Sequence, residues 1–165
     1  MTRNLHPILT DERGTSLIEM ALVMPILAGL AVGMVDIARG YSAKLALEQS
    51  ANRAIEKVQQ YQSNKDTYSL LKAEASDAAR DAGFTTAADS DVAIDYWLEC
   101  NGIRSGNGTA GNGYNDDCNP GQTYARFITV SITQKYKPMF GTKYFPSANS
   151  DGTYTINGKA GIRTQ

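Results

Sequence analysis

The stretch that decides the fold runs from Arg13 to Arg39 and reads RGTSLIEMALVMPILAGLAVGMVDIAR. From Met20 to Val35 it contains no charged or amide side chain. A helix needs about 20 predominantly apolar residues to span a bilayer, and residues 15–37 supply that length. The sequence therefore predicts one transmembrane helix over residues 15–37.

Glu19 is the charged side chain near the start of this span. A carboxylate in hydrocarbon costs a few kcal/mol. An acidic residue within a predicted span therefore suggests a functional role, and a partner for it should be named. One candidate partner is interfacial water with lipid head groups. The other is a free amino group made by cleavage after Gly14, which would make Thr15 the first residue of the mature chain and Glu19 the fifth. The carboxylate could then pair with the amino terminus of a neighbouring subunit.

The sequence around this point resembles a known processing signal. GTSLIEMALVMP at residues 14–25 is similar to the class III signal of type IV pilins and pseudopilins, in which a membrane-embedded prepilin peptidase cuts after the glycine. Two further runs follow it, VDIARGY at 35–41 and LALEQSA at 45–51. With them the chain resembles the TadE-like proteins, which are pseudopilins or minor pilins of the Tad (tight adherence, Flp) pilus apparatus.

The resemblance is dense over residues 12–58. Later in the chain, YKPMF at residues 136–140 is a segment of the kind that TadE-like proteins carry. Met20 departs from the family pattern, which often has an aromatic residue after the glutamate. This departure bears on the subfamily and leaves the resemblance to pilins intact.

The resemblance implies processing, partners and location. It implies cleavage between Gly14 and Thr15, a role for Glu19 in assembly, and three kinds of partner besides the membrane. These are prepilin peptidase, other pilin or pseudopilin subunits, and the inner-membrane assembly platform. The protein would be a single-pass protein of the bacterial inner membrane with a periplasmic or extracellular C-terminal domain, or would enter an extracellular pilus. TadE-like proteins would act in small numbers, at initiation or at the tip.

Two other interpretations of the apolar run stay open. A secretory signal peptide has an apolar core of about 7 to 15 residues and a small-x-small cleavage site, whereas this run is longer and is followed by Asp36 and Arg39. An uncleaved signal anchor is the second alternative. Charges do not fix the orientation, because the leader carries both basic and acidic residues.

Helical periodicity continues beyond the span. An apolar stripe from Leu47 to Val58 predicts that the helix extends to about Gln60, either as one helix or as two helices joined at Gly40. A second helix is predicted from about Asp66 to Ala82, after a turn over residues 61–66, with Gly83 as its C-terminal stop. The predicted organisation is a leader over 1–14, the span over 15–37, an amphipathic continuation over 38–60, and a head domain over 61–165.

Strand patterns follow the helices. Apolar and polar residues alternate from Val92 to Glu99 and again from about Tyr124 to Tyr136, which predicts two half-buried strands. Near the end, Asn157-Gly158 is a strong hairpin signal between Tyr154 and Ile162, so a turn is predicted there. Helices first and three or four antiparallel strands after them predict an α+β fold of pilin-like architecture.

Two cysteines, Cys100 and Cys118, flank a Gly- and Asn-rich loop of 17 residues. In a chain that the resemblance places outside the cytoplasm, this spacing predicts a disulfide and an oxidising compartment. The alternatives are two unrelated buried thiols or a metal-binding pair without a nearby histidine. Within the loop, the oxygens of Asn112, Asn115, Asp116 and Asp117 lack the spacing of a known calcium loop, so a solvated loop is the simpler interpretation.

Composition argues against several function classes. Sixteen basic residues balance 17 acidic ones, so the chain lacks the excess of positive charge that is typical of nucleic-acid-binding proteins. The single histidine, His6, lies in the leader, and no nucleophile, phosphate-loop or zinc motif is present, so we predict no enzyme activity, no cofactor and no metal. Asp89, Asp91 and Asp95 are interpreted as a solvated turn and strand face.

Two functions from different classes remain. The first is a membrane-anchored, pilin-like assembly subunit of a Tad-type pilus. The alternative is a singly anchored extracytoplasmic binding or adhesion module that is not incorporated in a filament, for which Glu19 should be dispensable. A third hypothesis, an anchored hydrolase, would need a catalytic site, and we find no motif for one in the sequence.

Overall fold

The computed structural model of the protein describes residues 14–60, 65–105, 114–139 and 147–164. The chain divides into two compact units, Met1–Arg39 and Gly40–Gln165. The leader before Gly14, most of the predicted turn over 61–66, and Asn112 and Phe140 lie outside the described residues.

Helix α1 (Thr15–Gln60) begins in the first unit and ends in the second. Its bounds confirm the predicted long helix. Gly40 lies within α1, so the alternative of two helices joined there is wrong. Pro25 also lies inside the helix, as membrane helices tolerate.

The second unit adds helix α2 and a four-stranded antiparallel sheet. Helix α2 spans Lys65–Asp81, within one residue of the predicted bounds. The strands are β1 (Val92–Cys100), β2 (Ile103–Arg104), β3 (Tyr124–Tyr136) and β4 (Tyr154–Arg163). Their spatial order is β2-β1-β3-β4, which confirms the predicted α+β class.

The core of the second unit lies between the helices and one face of the sheet. Successive side chains of a strand point to opposite faces, and the buried residues of β3 follow that period. The main cluster consists of Leu47, Ala51, Ala54 and Ile55 of α1, Ala75 and Ala79 of α2, Ala87, and Val92, Val130, Ile132 and Ala160 of the sheet. Many of these residues are alanines, so the helix backbones approach the sheet closely.

Gly83 ends α2 as predicted. Its φ of 103° is in the left-handed region that favours glycine. The Gly83 amide donates to the Arg80 carbonyl at 3.0 Å, and the Phe84 amide donates to the Ala79 carbonyl at 3.0 Å. These two bonds form a Schellman motif, and Phe84 packs against the core cluster.

The predicted turn at Asn157-Gly158 is wrong, because both residues lie inside β4. A Cβ added at Gly158 would lie 2.3 Å from the carbonyl carbon of Leu47 and 2.5 Å from the amide nitrogen of Glu48. Glycine is therefore required here for the approach of β4 to the backbone of α1.

A two-residue hairpin occurs instead at Asn101-Gly102. Cys100 pairs with Ile103 across it, and the φ values of 51° and 77° fit a type I′ turn. This turn produces the short strand β2, which the alternation pattern did not predict.

The predicted disulfide between Cys100 and Cys118 is confirmed, with 5.6 Å between the two Cα atoms. Arg126 further orders the loop, because its guanidinium donates to the carbonyls of Tyr114 at 2.9 Å and Asp116 at 3.1 Å. Cys100 pairs with Tyr124 at the start of β3, so the disulfide lies at the end of the sheet opposite Tyr136.

Candidate membrane and assembly segment

The apolar side chains of the first unit are exposed on every side of the helix. Twelve large ones are between 49 % and 75 % exposed: Leu17, Ile18, Met20, Leu22, Val23, Met24, Ile26, Leu27, Leu30, Met34, Val35 and Ile37. At 100° per residue these positions surround the helix axis, unlike the single stripe of a helix on a protein core. Such a helix needs an apolar environment outside its own chain.

One helix in the described part of the chain is long and apolar enough to cross a membrane, and it is α1. Two glycines of this helix, Gly29 and Gly33, have free space beside them. Cβ atoms added at Gly29 or Gly33 would meet no atom within 4 Å. In lipid, small residues at such positions let another helix approach closely.

Gly14 and Thr15 lie at the very start of this helix. Thr15 is the first residue of α1, and Gly14 precedes it directly. Gly14 is exposed, and an added Cβ would have no neighbour within 4 Å. The peptide bond between the two residues is therefore at the boundary where the exposed apolar helix begins.

Glu19 is the fifth residue of α1 and is exposed. Within the described part of the chain it makes no hydrogen bond and no ion pair. The helix dipole favours carboxylates mainly in the first turn, and that turn contains no acidic residue. Glu19 thus places a carboxyl group within the apolar sequence, and the described residues supply no polar partner for it.

Comparison with known proteins agrees with this geometry. Residues 14–55 match the model of the TadE-like protein family. The resemblance predicted from the sequence is thereby confirmed over this segment. No curated protein and no solved structure matches the chain.

The TadE-like segment contains Gly14, Thr15, Glu19 and the whole exposed apolar helix, and it ends at Ile55 in the core of the second unit. Helix α2 and the sheet lie beyond it. The TadE-like match and the apolar helix together fit a membrane-anchored component of a Tad pilus system.

The other predicted polar positions do not join this segment or form one site of their own. Asp89 accepts a hydrogen bond from Ser76 at 2.6 Å, and Asp91 accepts one from Gln134 at 2.8 Å. Asp95 is held by Arg104. Each carboxylate therefore has its own structural contact.

Two of the loop residues considered for calcium, Asp116 and Asp117, have local contacts with Arg126. The Asp116 carbonyl accepts from Arg126, and the Asp117 carboxylate lies 3.8 Å from the same guanidinium. Among the residues that the structure describes, no group of three or more His, Cys, Asp or Glu side chains is placed to hold a metal ion.

Sequence reasoning missed a cluster on the face of the sheet that points away from the helices. The Trp97 ring stacks on Phe127 at 5.3 Å between ring centroids, and the Arg104 guanidinium carbon lies 4.7 Å above the Trp97 ring. Arg104 also donates to both oxygens of Asp95, at 2.8 and 3.2 Å. The alternation in β1 places Asp95 and Trp97 on one face, but Arg104 joins them only through the unpredicted hairpin.

Proposed function

We propose that this protein is a membrane-anchored, pilin-like subunit that assembles a Tad-type pilus. The observation that carries the proposal is the coincidence of three boundaries. The family match begins at Gly14, α1 begins at Thr15, and the first large exposed apolar residue in the described part of the chain is Leu17. A cut between Gly14 and Thr15 by prepilin peptidase would place a new amino group at the start of the exposed apolar helix.

In this proposal Glu19 aids docking between subunits. A carboxylate without a partner is costly in hydrocarbon, whereas pairing with an amino group of a neighbouring subunit offsets part of that cost. The difference favours the assembled state over the isolated subunit. The neighbours are other pilins or pseudopilins, brought together at the inner-membrane assembly platform.

The proposed topology is a span over residues 15–37 with the second unit outside the cytoplasm. The disulfide between Cys100 and Cys118 supports this orientation, because such bonds persist in oxidising compartments such as the bacterial periplasm. The subunit would wait in the inner membrane and act at initiation, at the tip or as a minor component.

The proposal is tested by replacing Glu19 with its neutral isostere, Glu19→Gln. The matched control is Glu56→Gln, which removes an exposed carboxylate from the same helix outside the apolar segment. We expect Glu19→Gln to remove most surface pili counted by electron microscopy, at an unchanged amount of membrane-bound subunit. The control should give the wild-type number of pili.

Normal pilus numbers with Glu19→Gln would contradict the assembly role. That result would favour the alternative, a singly anchored binding or adhesion module outside the filament. Equal loss in both variants would show that negative charge along the helix matters in general, which would also contradict a specific role for Glu19.

A further inference from the structure

One end of the sheet packs against the residue at which the second unit begins. Strand β3 ends at Tyr136, and a Cβ added at Gly40 would lie 3.4 Å from Cε1 of the Tyr136 ring. Gly40 follows the last residue of the first unit directly in the chain. The end of β3 therefore lies beside the first residue of the second unit.

The residues at this end expose apolar and aromatic surface. We define the basal surface as residues 40–44 of α1 together with residues 136–139. Tyr41 is 71 % exposed and Met139 is 60 % exposed, whereas Pro138 between Lys137 and Met139 is buried. The buried proline anchors a segment whose flanking side chains are both exposed.

The same surface carries cations with little compensation. Lys137 is exposed and has no ion pair among the residues that the structure describes. Lys44 lies 3.8 Å from Glu48, and its side chain remains about half exposed. By contrast, Lys135 on the preceding part of β3 is bound to Asp151 at 2.7 Å.

Exposed methionine and tyrosine beside lysines match the interface of a bilayer. Tyrosine is enriched at the level of the lipid head groups, and long lysine side chains reach from apolar surroundings to phosphate groups. A basic residue next to an anionic membrane surface contributes about 1 kcal/mol of attraction. The basal surface combines these residue types, and its helical part, residues 40–44, follows the proposed span by a few positions in sequence.

We propose that the basal surface is a second membrane contact, with a bilayer containing anionic phospholipids as its partner. Met139 and Tyr41 enter the interfacial layer, while Lys137 and Lys44 bind lipid phosphate groups. This inference rests on the proposed function only in that the first unit spans the membrane. The contact would hold the second unit against the bilayer until a neighbouring subunit competes for the same surface.

The experiment measures depth with a nitroxide label on the full chain reconstituted in vesicles. Because Cys100 and Cys118 are paired, a single introduced cysteine takes the label. Met139→Cys reports on the basal surface. Leu70→Cys is the control, since Leu70 is 68 % exposed on α2, next to Leu71, which packs on Ile128 in the other half of the sheet. Leu27→Cys reports on the span.

In vesicles of phosphatidylcholine with phosphatidylglycerol, we expect labels at positions 27 and 139 to collide more with oxygen than with a water-soluble nickel complex. The label at position 70 should show the reverse preference. Adding Lys137→Glu should lower the immersed fraction of the label at 139 by about fivefold or more. Lys159→Glu, at an exposed lysine in the middle of β4, should leave that fraction unchanged.

The possible failures are distinguishable. A label at 27 in water would overturn membrane anchoring and this inference together. If the label at 27 is in hydrocarbon but the labels at 139 and 70 are equally accessible to the nickel complex, only the second membrane contact would be overturned. Equal effects of Lys137→Glu and Lys159→Glu would overturn the role of lipid phosphates. Immersion at 139 that disappears at one protein per vesicle would identify a second copy, not lipid, as the partner.

Discussion

The two parts of helix α1 expose their apolar side chains in opposite ways. Between Leu17 and Ile37, twelve large apolar residues on all sides of the helix are at least 49 % exposed. In the second unit, Leu47, Ala51 and Ala54 have no exposed surface, because they lie in a core cluster with residues of α2 and of three strands. One helix therefore lies in two environments. A segment that is apolar on all sides needs an apolar surrounding such as lipid, whereas a segment with one apolar face packs on a protein core.

This contrast shows which contacts constrain the side chains of each unit. The second unit contains its own core and a disulfide, so its residues are constrained by contacts within the chain. The first unit has no core of its own in the described residues, so its apolar positions are constrained by what surrounds it. Substitutions that change size should affect the stability of the second unit strongly and leave it unaffected when made in the first.

The largest effect is expected from Gly158→Ala. The added Cβ would meet the backbone of Leu47 at 2.3 Å, and a helix backbone yields less easily than a side chain. We expect a loss of more than about 3 kcal/mol, at the upper end for overpacking. Thermal unfolding followed through Trp97, the single tryptophan, reports on the sheet directly because Trp97 lies in β1.

Gly29→Ala is the matched control for Gly158→Ala. Its added Cβ meets nothing within 4 Å, so the unfolding temperature reported by Trp97 should not change. If both variants lowered that temperature equally, the contrast between the two units would be wrong.

A second pair of variants compares the same side chain in the two parts of α1. Leu47 is completely buried, so Leu47→Ala should cost about 2–5 kcal/mol of unfolding free energy. Leu30 is 57 % exposed, so Leu30→Ala should change the stability of the second unit by less than about 0.5 kcal/mol. Denaturant unfolding in detergent micelles measures both, and equal losses would contradict the assignment of Leu47 to the core.

A smaller effect is expected from removing the disulfide by replacing Cys100 and Cys118 with alanine. The bond closes a loop of 18 residues in sequence separation, for which the chain-entropy estimate is about 3 kcal/mol as an upper value. The retained contacts of Arg126 with Tyr114 and Asp116 should hold part of the loop, so we expect about 2 kcal/mol. An unchanged midpoint in denaturant would show that the loop is ordered without the bond.

Much of the fold followed from local pattern in the sequence. The bounds of α1, α2, β1 and β3 were predicted because periodicity and a C-terminal glycine are encoded in neighbouring residues. Gly14, Thr15 and Glu19 were identified through the resemblance to the class III signal of pilins, which is also carried by neighbouring residues. Whether they act in processing and assembly stays a prediction.

The errors concern contacts between distant residues. Asn101-Gly102 and Asn157-Gly158 are the same dipeptide, yet only the first forms a turn. In the second dipeptide, glycine is required because the backbone of Leu47 approaches Gly158 closely. The residues around Gly158 in the sequence give no sign of this contact. The basal surface was missed because it joins Gly40 to Tyr136, which only the fold brings together.

The most direct test of the central claim is the amino terminus of the protein recovered from membranes of cells that contain the prepilin peptidase. We predict that the mature chain begins at Thr15, and that a strain without the peptidase, or the variant Gly14→Leu, yields the chain with its leader. A mature chain that still begins at Met1, or one cut after the apolar segment near Ser42, would contradict the account.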